Sequence, residues 1–208
     1  MNRHTSSSGL FRRAVATTLA LGALAHAQTD TPPTPPTYPV TLPGGRVVSV
    51  SAPAPGPHPD GGWMTWELDQ RRTSLDRRFH ALLFRQSSNN PKHDPIVVHL
   101  VKPDGRVLPL KNSDVFDVTW MPDGQYLLGR GGNTLRLWNT SGGLRTRVLD
   151  GMDRLDVIPG IACVATQPLV TGSDANSWKV QRLHVPSLRP AGQFTLQRAP
   201  QDGQRFCR

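Results

Sequence analysis

Acids and cysteines are both scarce in this chain, and each shortage removes a class of protein. Fifteen Asp and Glu stand against twenty-four Lys and Arg in 208 residues, a formal net charge of +9, so an acidic, self-repelling chain is excluded. Two cysteines allow a single bridge and rule out a disulfide scaffold. No CxxC or HExxH occurs, and none of the histidines pairs at metal-site spacing, so no metal or other cofactor is expected. The sequence also lacks a GxSxG elbow, a P-loop and a GxGxxG. Its glycine run, Gly129-Arg130-Gly131-Gly132-Asn133, has no helical pattern after it and reads as a hairpin turn. No stretch shows a 3.6-residue apolar stripe, which excludes a helical body. The hydrophobic content, 37%, still excludes disorder along the whole chain.

Proline and glycine are abundant instead, twenty and nineteen residues. Before they begin, residues 1–13 carry Arg3, Arg12 and Arg13 without an acid, Ala14 to Ala25 run apolar, and Ala25-His26-Ala27 places small residues around a cleavage point. The apolar run is shorter than the ~20 residues of a membrane helix, so residues 1–27 predict a signal peptide rather than an anchor. The Arg12-Arg13 pair keeps a twin-arginine route open beside the general secretory one. The expected location is the periplasm, cell envelope or extracellular space. Removal after Ala27 leaves 181 residues with a net charge of +6. Residues 28–38 then form a Pro/Thr-rich linker, extended and polyproline-like; a ligand for a proline-recognition domain is the alternative.

From residue 39 onward, short β-branched or alternating runs separated by Pro, Asp and Gly predict an all-β body. The clearest unit spans 115–150. Val115 to Trp120 is a strand, Met121-Pro122-Asp123-Gly124 a turn, Gln125 to Arg130 a second strand, Thr134 to Asn139 a third and Arg145 to Leu149 a fourth. Four short antiparallel strands make one propeller blade. Residues 63–111 and 153–197 follow the same order more loosely, with Leu100, Leu137 and Leu183 at equivalent places. The Pro122-Asp123-Gly124 turn and Trp138 resemble the WD40 and TolB-type propeller repeats. Met121 stands where those repeats have Ser, Asn139 stands for the Asp of Trp-Asp, and the Gly-His dipeptide is absent. The resemblance implies a β-propeller-like array of three to four blades. Residues 39–50 and 198–208 are candidates to complete a fourth, with Gln201-Asp202-Gly203-Gln204 echoing the second-blade turn. A closed ring, a partial propeller and a β-sandwich all remain open.

Asp104 and Asp123 are turn residues by type. Five arginines within fifteen positions, Arg71, Arg72, Arg77, Arg78 and Arg85, form a possible anion-binding cluster; a solvated turn and strand face is the alternative. The export signal disfavours nucleic acid and points to a protein or an anionic cell-envelope component as partner. Lys92-His93-Asp94 is the nearest approach to a site in an inserted loop. Trp63, Trp66, Trp120, Trp138 and Trp178 are candidates for a carbohydrate platform or for packing between blades. Cys163 and Cys207 form a possible disulfide, although second-strand positions in successive blades would lie farther apart than the ~7 Å Cα limit. With no catalytic constellation, the function expected is a non-enzymatic, exported interaction or scaffold module. The alternatives are a surface protein for an anionic envelope polymer, or a fragment of a propeller hydrolase or lyase, with Asp114, Asp117, His80 and His99 as the residues to inspect.

Overall fold

Among the residues described by the computed structural model, 31–57, 62–86, 96–167, 177–201 and 203–208, every regular element is a strand. β1 (Thr37–Thr41) pairs with β2 (Val47–Ser51), and β3 (Gly56–Pro57) with β4 (Trp63–Met64). Three four-stranded antiparallel sheets follow. The first holds β5 (Trp66–Thr73), β6 (His80–Gln86), β7 (Ile96–Val101) and β8 (Val107–Pro109); the second β9 (Asp117–Trp120), β10 (Tyr126–Gly131), β11 (Thr134–Asn139) and β12 (Leu144–Val148); the third β13 (Met152–Ile158), β14 (Ile161–Thr166), β15 (Trp178–His184) and β16 (Pro190–Leu196). Each sheet is a meander, with strands in chain order, so each is one blade. Trp63 to Leu68 is not the single strand expected. It divides at Thr65 between β4 and β5, and β5 runs on to Thr73 through a register shift between Leu68 and Gln70.

The second strand of every blade is apolar on both sides, and this dictates how the blades stack. On β6, Ala81 and Leu83 pack toward blade two with Leu127 and Trp138, while Leu82 and Phe84 pack toward the β1–β2 hairpin with Val40 and Val50. On β10, Leu127 faces blade one and Leu128 faces blade three. On β14, Ala162 and Val164 face blade two, while Cys163 and Ala165 face the C-terminal residues Phe206 and Cys207. Four apolar layers thus alternate with three blades. At about 1.5–3 kcal/mol for each large apolar side chain removed from water, these layers are the main source of cohesion.

The two ends do not meet in a fourth blade. The β1–β2 hairpin caps the outer face of blade one, and the C-terminal segment caps the opposite outer face, on blade three. Residues 203–208 form no strand; Gln204 N–H donates to the Gln201 carbonyl at 3.0 Å and the chain then lies along β14. Among the described residues the array is therefore three blades capped on both outer faces, and neither a closed ring nor a β-sandwich forms. The physical reason is length: Leu196 to Gln201 leaves no room for a first strand, so Phe206 satisfies its apolar side chain on the nearest uncovered face.

Tight turns recur with the same closing bond. Gly45, Arg77, Gly105, Gly124 and Gly142 donate N–H to the carbonyls of Leu42, Ser74, Lys102, Met121 and Asn139 at 2.9–3.1 Å. Four of these closing residues are glycines with φ between +68° and +93°; the fifth is Arg77, at φ +59°. Ser74-Leu75-Asp76-Arg77 is thus the blade-one equivalent of Met121-Pro122-Asp123-Gly124, and the two abut, with Asp76 Oδ1 3.2 Å from an ideal Cβ on Gly124. The Ser74 hydroxyl donates to Asp76 Oδ1 at 2.6 Å and holds that carboxyl below its ordinary range. A left-handed conformation costs a non-glycine residue ~1–2 kcal/mol, so Arg77→Gly is expected to raise stability by about 1 kcal/mol after glycine's greater entropy loss. A lower melting midpoint in a thermal scan would show that the arginine side chain contributes more than the strain removes.

Candidate functional site

The first strands β5, β9 and β13 are each the edge of their sheet, and β9 adjoins both of the others. Edge strands expose unpaired main-chain groups, and here side chains cover several of them. Val118 N–H donates to Asp117 Oδ1 and Val157 N–H to Asp156 Oδ1, both at 2.8 Å. Trp120 Nε1–H donates to the Arg72 carbonyl at 3.1 Å, and the Arg205 guanidinium donates to the Val157 carbonyl. What the inner face offers is therefore side chains. Between these strands and the C-terminal segment lies a trough of about 480 Å³ lined by Arg72, Thr119, Trp120, Pro122, Leu155 and Arg205 among others. It is continuous with a hollow of about 250 Å³ that shares Asp117, Thr119, Leu155 and Arg205 and adds Arg130 and Asp156. Together they fall in the size range of small-ligand sites, ~300–1,000 Å³.

Of the five clustered arginines, only Arg72 reaches this trough. Its Nη2 donates to Asp117 Oδ1 at 3.3 Å with half of the side chain exposed. Arg85 lies on β6 and pairs with Asp69 through Nε and Nη2 at 3.3 and 3.2 Å. Arg71 donates to the Pro39 carbonyl at 2.9 Å, and Arg78 stacks 5.9 Å from the Phe79 ring centroid. Arg77 lines a separate apolar hollow beside the hairpin turn, with His80 and Leu42. Adjacent in sequence, these side chains are dispersed by strand alternation and by the 74–79 turn. Lys92-His93-Asp94 lies outside the described residues.

The histidines and carboxylates singled out for a hydrolase do not gather. His80 and His99 sit on neighbouring strands of blade one, buried under the β1–β2 hairpin, whereas Asp117 faces the trough. Among the described residues no three His, Cys, Asp or Glu are grouped to hold a metal. Burial depresses the basicity of both histidines, helped at His80 by the Arg71 charge and opposed there by the Thr41 carbonyl. His80 Nδ1 is 3.1 Å from the Thr73 hydroxyl, and the His99 ring stands edge-on to Phe84 at 5.0 Å. With folded values below the ordinary 6.5, the unfolded chain binds more protons as pH falls through 6.5, so stability is full above that value and declines beneath it. Urea midpoints are expected to fall between pH 7.5 and pH 5.5, and less steeply in His99→Leu; equal slopes would remove His99 from the effect.

Four of the tryptophans, Trp66, Trp120, Trp138 and Trp178, pack between layers. Trp138 is fully buried with its Nε1–H on the Lys111 carbonyl at 2.9 Å, Trp66 belongs to the hairpin layer and Trp178 to the C-terminal one. Trp120 alone also borders the trough. Cys163 and Cys207 are bridged, with Cα atoms 5.4 Å apart; the distance objection fails because Cys207 lies on no strand. Asp156, which sequence reasoning missed, holds the same segment. Its buried carboxylate accepts N–H from Phe206 and Cys207 at 2.7 Å and pairs with Arg205 Nε at 2.9 Å. Arg130, opposite Asp117 in the β9–β10 register, was missed too. No local pattern marks either residue.

No family model and no curated protein matches the chain. Among solved structures, the Pyrococcus horikoshii acylaminoacyl peptidase aligns with 62% of this chain and 25% of its own at 8% identity, with a TM-score of 0.49. A eukaryotic initiation factor aligns with 81% of this chain and 46% of its own at 12% identity, with a TM-score of 0.46. The chain therefore spans a quarter of one protein and under half of the other. No helix among the described residues is long and apolar enough to cross a membrane. The expectation of a non-enzymatic chain is corrected by the first neighbour, a peptidase, and is not carried forward. Both neighbours are distant, sheet-rich structures with which a blade array is compatible, and neither places the chain in a family.

Proposed function

We propose that this chain is an exported, WD40/TolB-like binding module whose partner docks on the inner face formed by β5, β9 and β13. The observation that carries this is the trough itself, where all three blades and the C-terminal segment contribute side chains around a common space. Its walls combine half-exposed arginine and aspartate with Trp120, Pro122 and Leu155, the mixture of polar and apolar contacts that ligand sites use. The signal-like residues 1–27 and the Cys163–Cys207 bridge support an oxidising compartment outside the cytoplasm. The partner is then a protein or an anionic envelope component that meets the folded body there.

Blocking the trough after folding tests this. Thr119→Cys, coupled to a polyethylene-glycol maleimide with the native bridge intact, is expected to lose retention on isolated cell envelopes in a sedimentation assay. The same coupling at Thr146→Cys on β12, the opposite edge of the blade, should leave retention unchanged. Equal retention of both conjugates would place the binding surface elsewhere.

A further inference from the structure

The hydrogen-bonding inventory of the trough is one-sided, and that imbalance specifies a ligand. A guanidinium has five N–H donors and no acceptor. Arg72 commits one of them, to Asp117; Arg205 commits its Nε to Asp156 and an Nη to the Val157 carbonyl; Arg130, among the described residues, meets only the Phe116 ring, 5.9 Å from its centroid. The acceptors are more fully used. Both oxygens of Asp156 are taken by three main-chain N–H groups and Arg205, and Asp117 Oδ1 receives both Val118 N–H and Arg72. Asp153 and Arg154 line the same hollow and pair with each other at 3.7 Å, so four arginines stand against three carboxylates around one space, and their guanidinium groups are planar forks suited to paired oxygens.

Placement matters as much as number. Arg72 reaches Asp117 from blade one, Arg130 stands opposite Asp117 in the β9–β10 register and lines the adjoining hollow, and Arg205 stands on the C-terminal wall, fixed by a buried carboxylate. Trp120, Pro122 and Leu155 supply an apolar wall to the same trough. A ligand that matches this carries acid groups spaced along a chain of rings, with apolar ring faces set against the indole. The geometry points to an acidic oligosaccharide as the occupant, its carboxylates held by Arg72, Arg130 and Arg205. This rests on the reading of the inner face as the binding surface.

Titration calorimetry with tetragalacturonate as probe and neutral chitotetraose as control tests the assignment. The native protein should bind the acidic oligomer, with an affinity that falls as salt is raised, and should not bind the neutral one. Arg72→Gln and Arg130→Gln should each weaken binding about tenfold or more, the scale of a lost charge-assisted bond. Arg130→Lys, which keeps the charge without the fork, should recover part of the loss, and Arg78→Gln, outside the trough, should change nothing. Thermal melts confirm that each variant is folded. Native-like affinity in both glutamine variants, equal binding of the neutral oligomer, or no binding of tetragalacturonate by the native protein would overturn the proposal. If any of these occurs while the Thr119 conjugate still loses envelope retention, the binding surface stands and only its acidic-saccharide ligand falls.

Discussion

Trp138→Ala is expected to lower the unfolding free energy by about 3–5 kcal/mol, read as a shift of the urea midpoint with an unchanged slope. The indole is fully buried in the layer between blades one and two, and its Nε1–H is held by the Lys111 carbonyl at 2.9 Å. Truncation opens a cavity that β-strands on both sides are too well tied to fill, and it removes the indole hydrogen bond to the Lys111 carbonyl. Gly129 supplies an internal check, because an ideal Cβ there would lie 2.6 Å from the Trp138 ring. Gly129→Ala alone should cost about 1–3 kcal/mol through overpacking. Combined with Trp138→Phe, whose smaller ring withdraws from that contact, it should cost less than the sum of the single changes. Strict additivity in that cycle would mean that ring and glycine do not meet as described.

This layer shows what the sequence makes legible. HALLFRQ, YLLGRG and IACVAT are apolar without alternation, which is the signature of a strand covered on both faces, and the Pro-Asp-Gly turns fix where the neighbouring strands begin. The all-β blade array follows from those two signals. β5 is harder to read because WELDQRRT is polar and carries a register shift, so its extent to Thr73 has no apolar marker. The blade-one turn is hidden by Arg77, which occupies a corner that glycine fills in the other turns. The candidate site is less legible still. Arg72, Arg130 and Arg205 come from three separate parts of the chain, and a run of arginines such as Arg71 to Arg78 draws attention to the wrong grouping. Proximity along a strand sends side chains to opposite faces, while proximity across blades is set by stacking that no local pattern records.

The C-terminal segment gives the other large effect. Serine at both Cys163 and Cys207 is expected to reduce stability by roughly 4 kcal/mol, the chain-entropy value for a loop of this length, the two cysteines being separated by 44 residues. The loop runs from the middle of β14 through β15 and β16, so the bridge ties the second strand of blade three to the segment that covers it. Its loss frees the unfolded chain more than it disturbs the folded one, because Asp156 continues to bind the main-chain N–H groups of Phe206 and Cys207. Asp156→Asn in the native background should therefore cost less, about 1–3 kcal/mol for a buried charged hydrogen bond. Adding it to the double serine variant should detach the segment altogether, exposing the apolar face formed by Ala165, Trp178 and Val180. Reductant added to the native protein should move its melting midpoint to that of the double serine variant and no further. A fall below about 1 kcal/mol in the serine variant would show that the carboxylate and Phe206 hold the segment almost unaided, and the wall of the trough that carries Arg205 would then survive reduction.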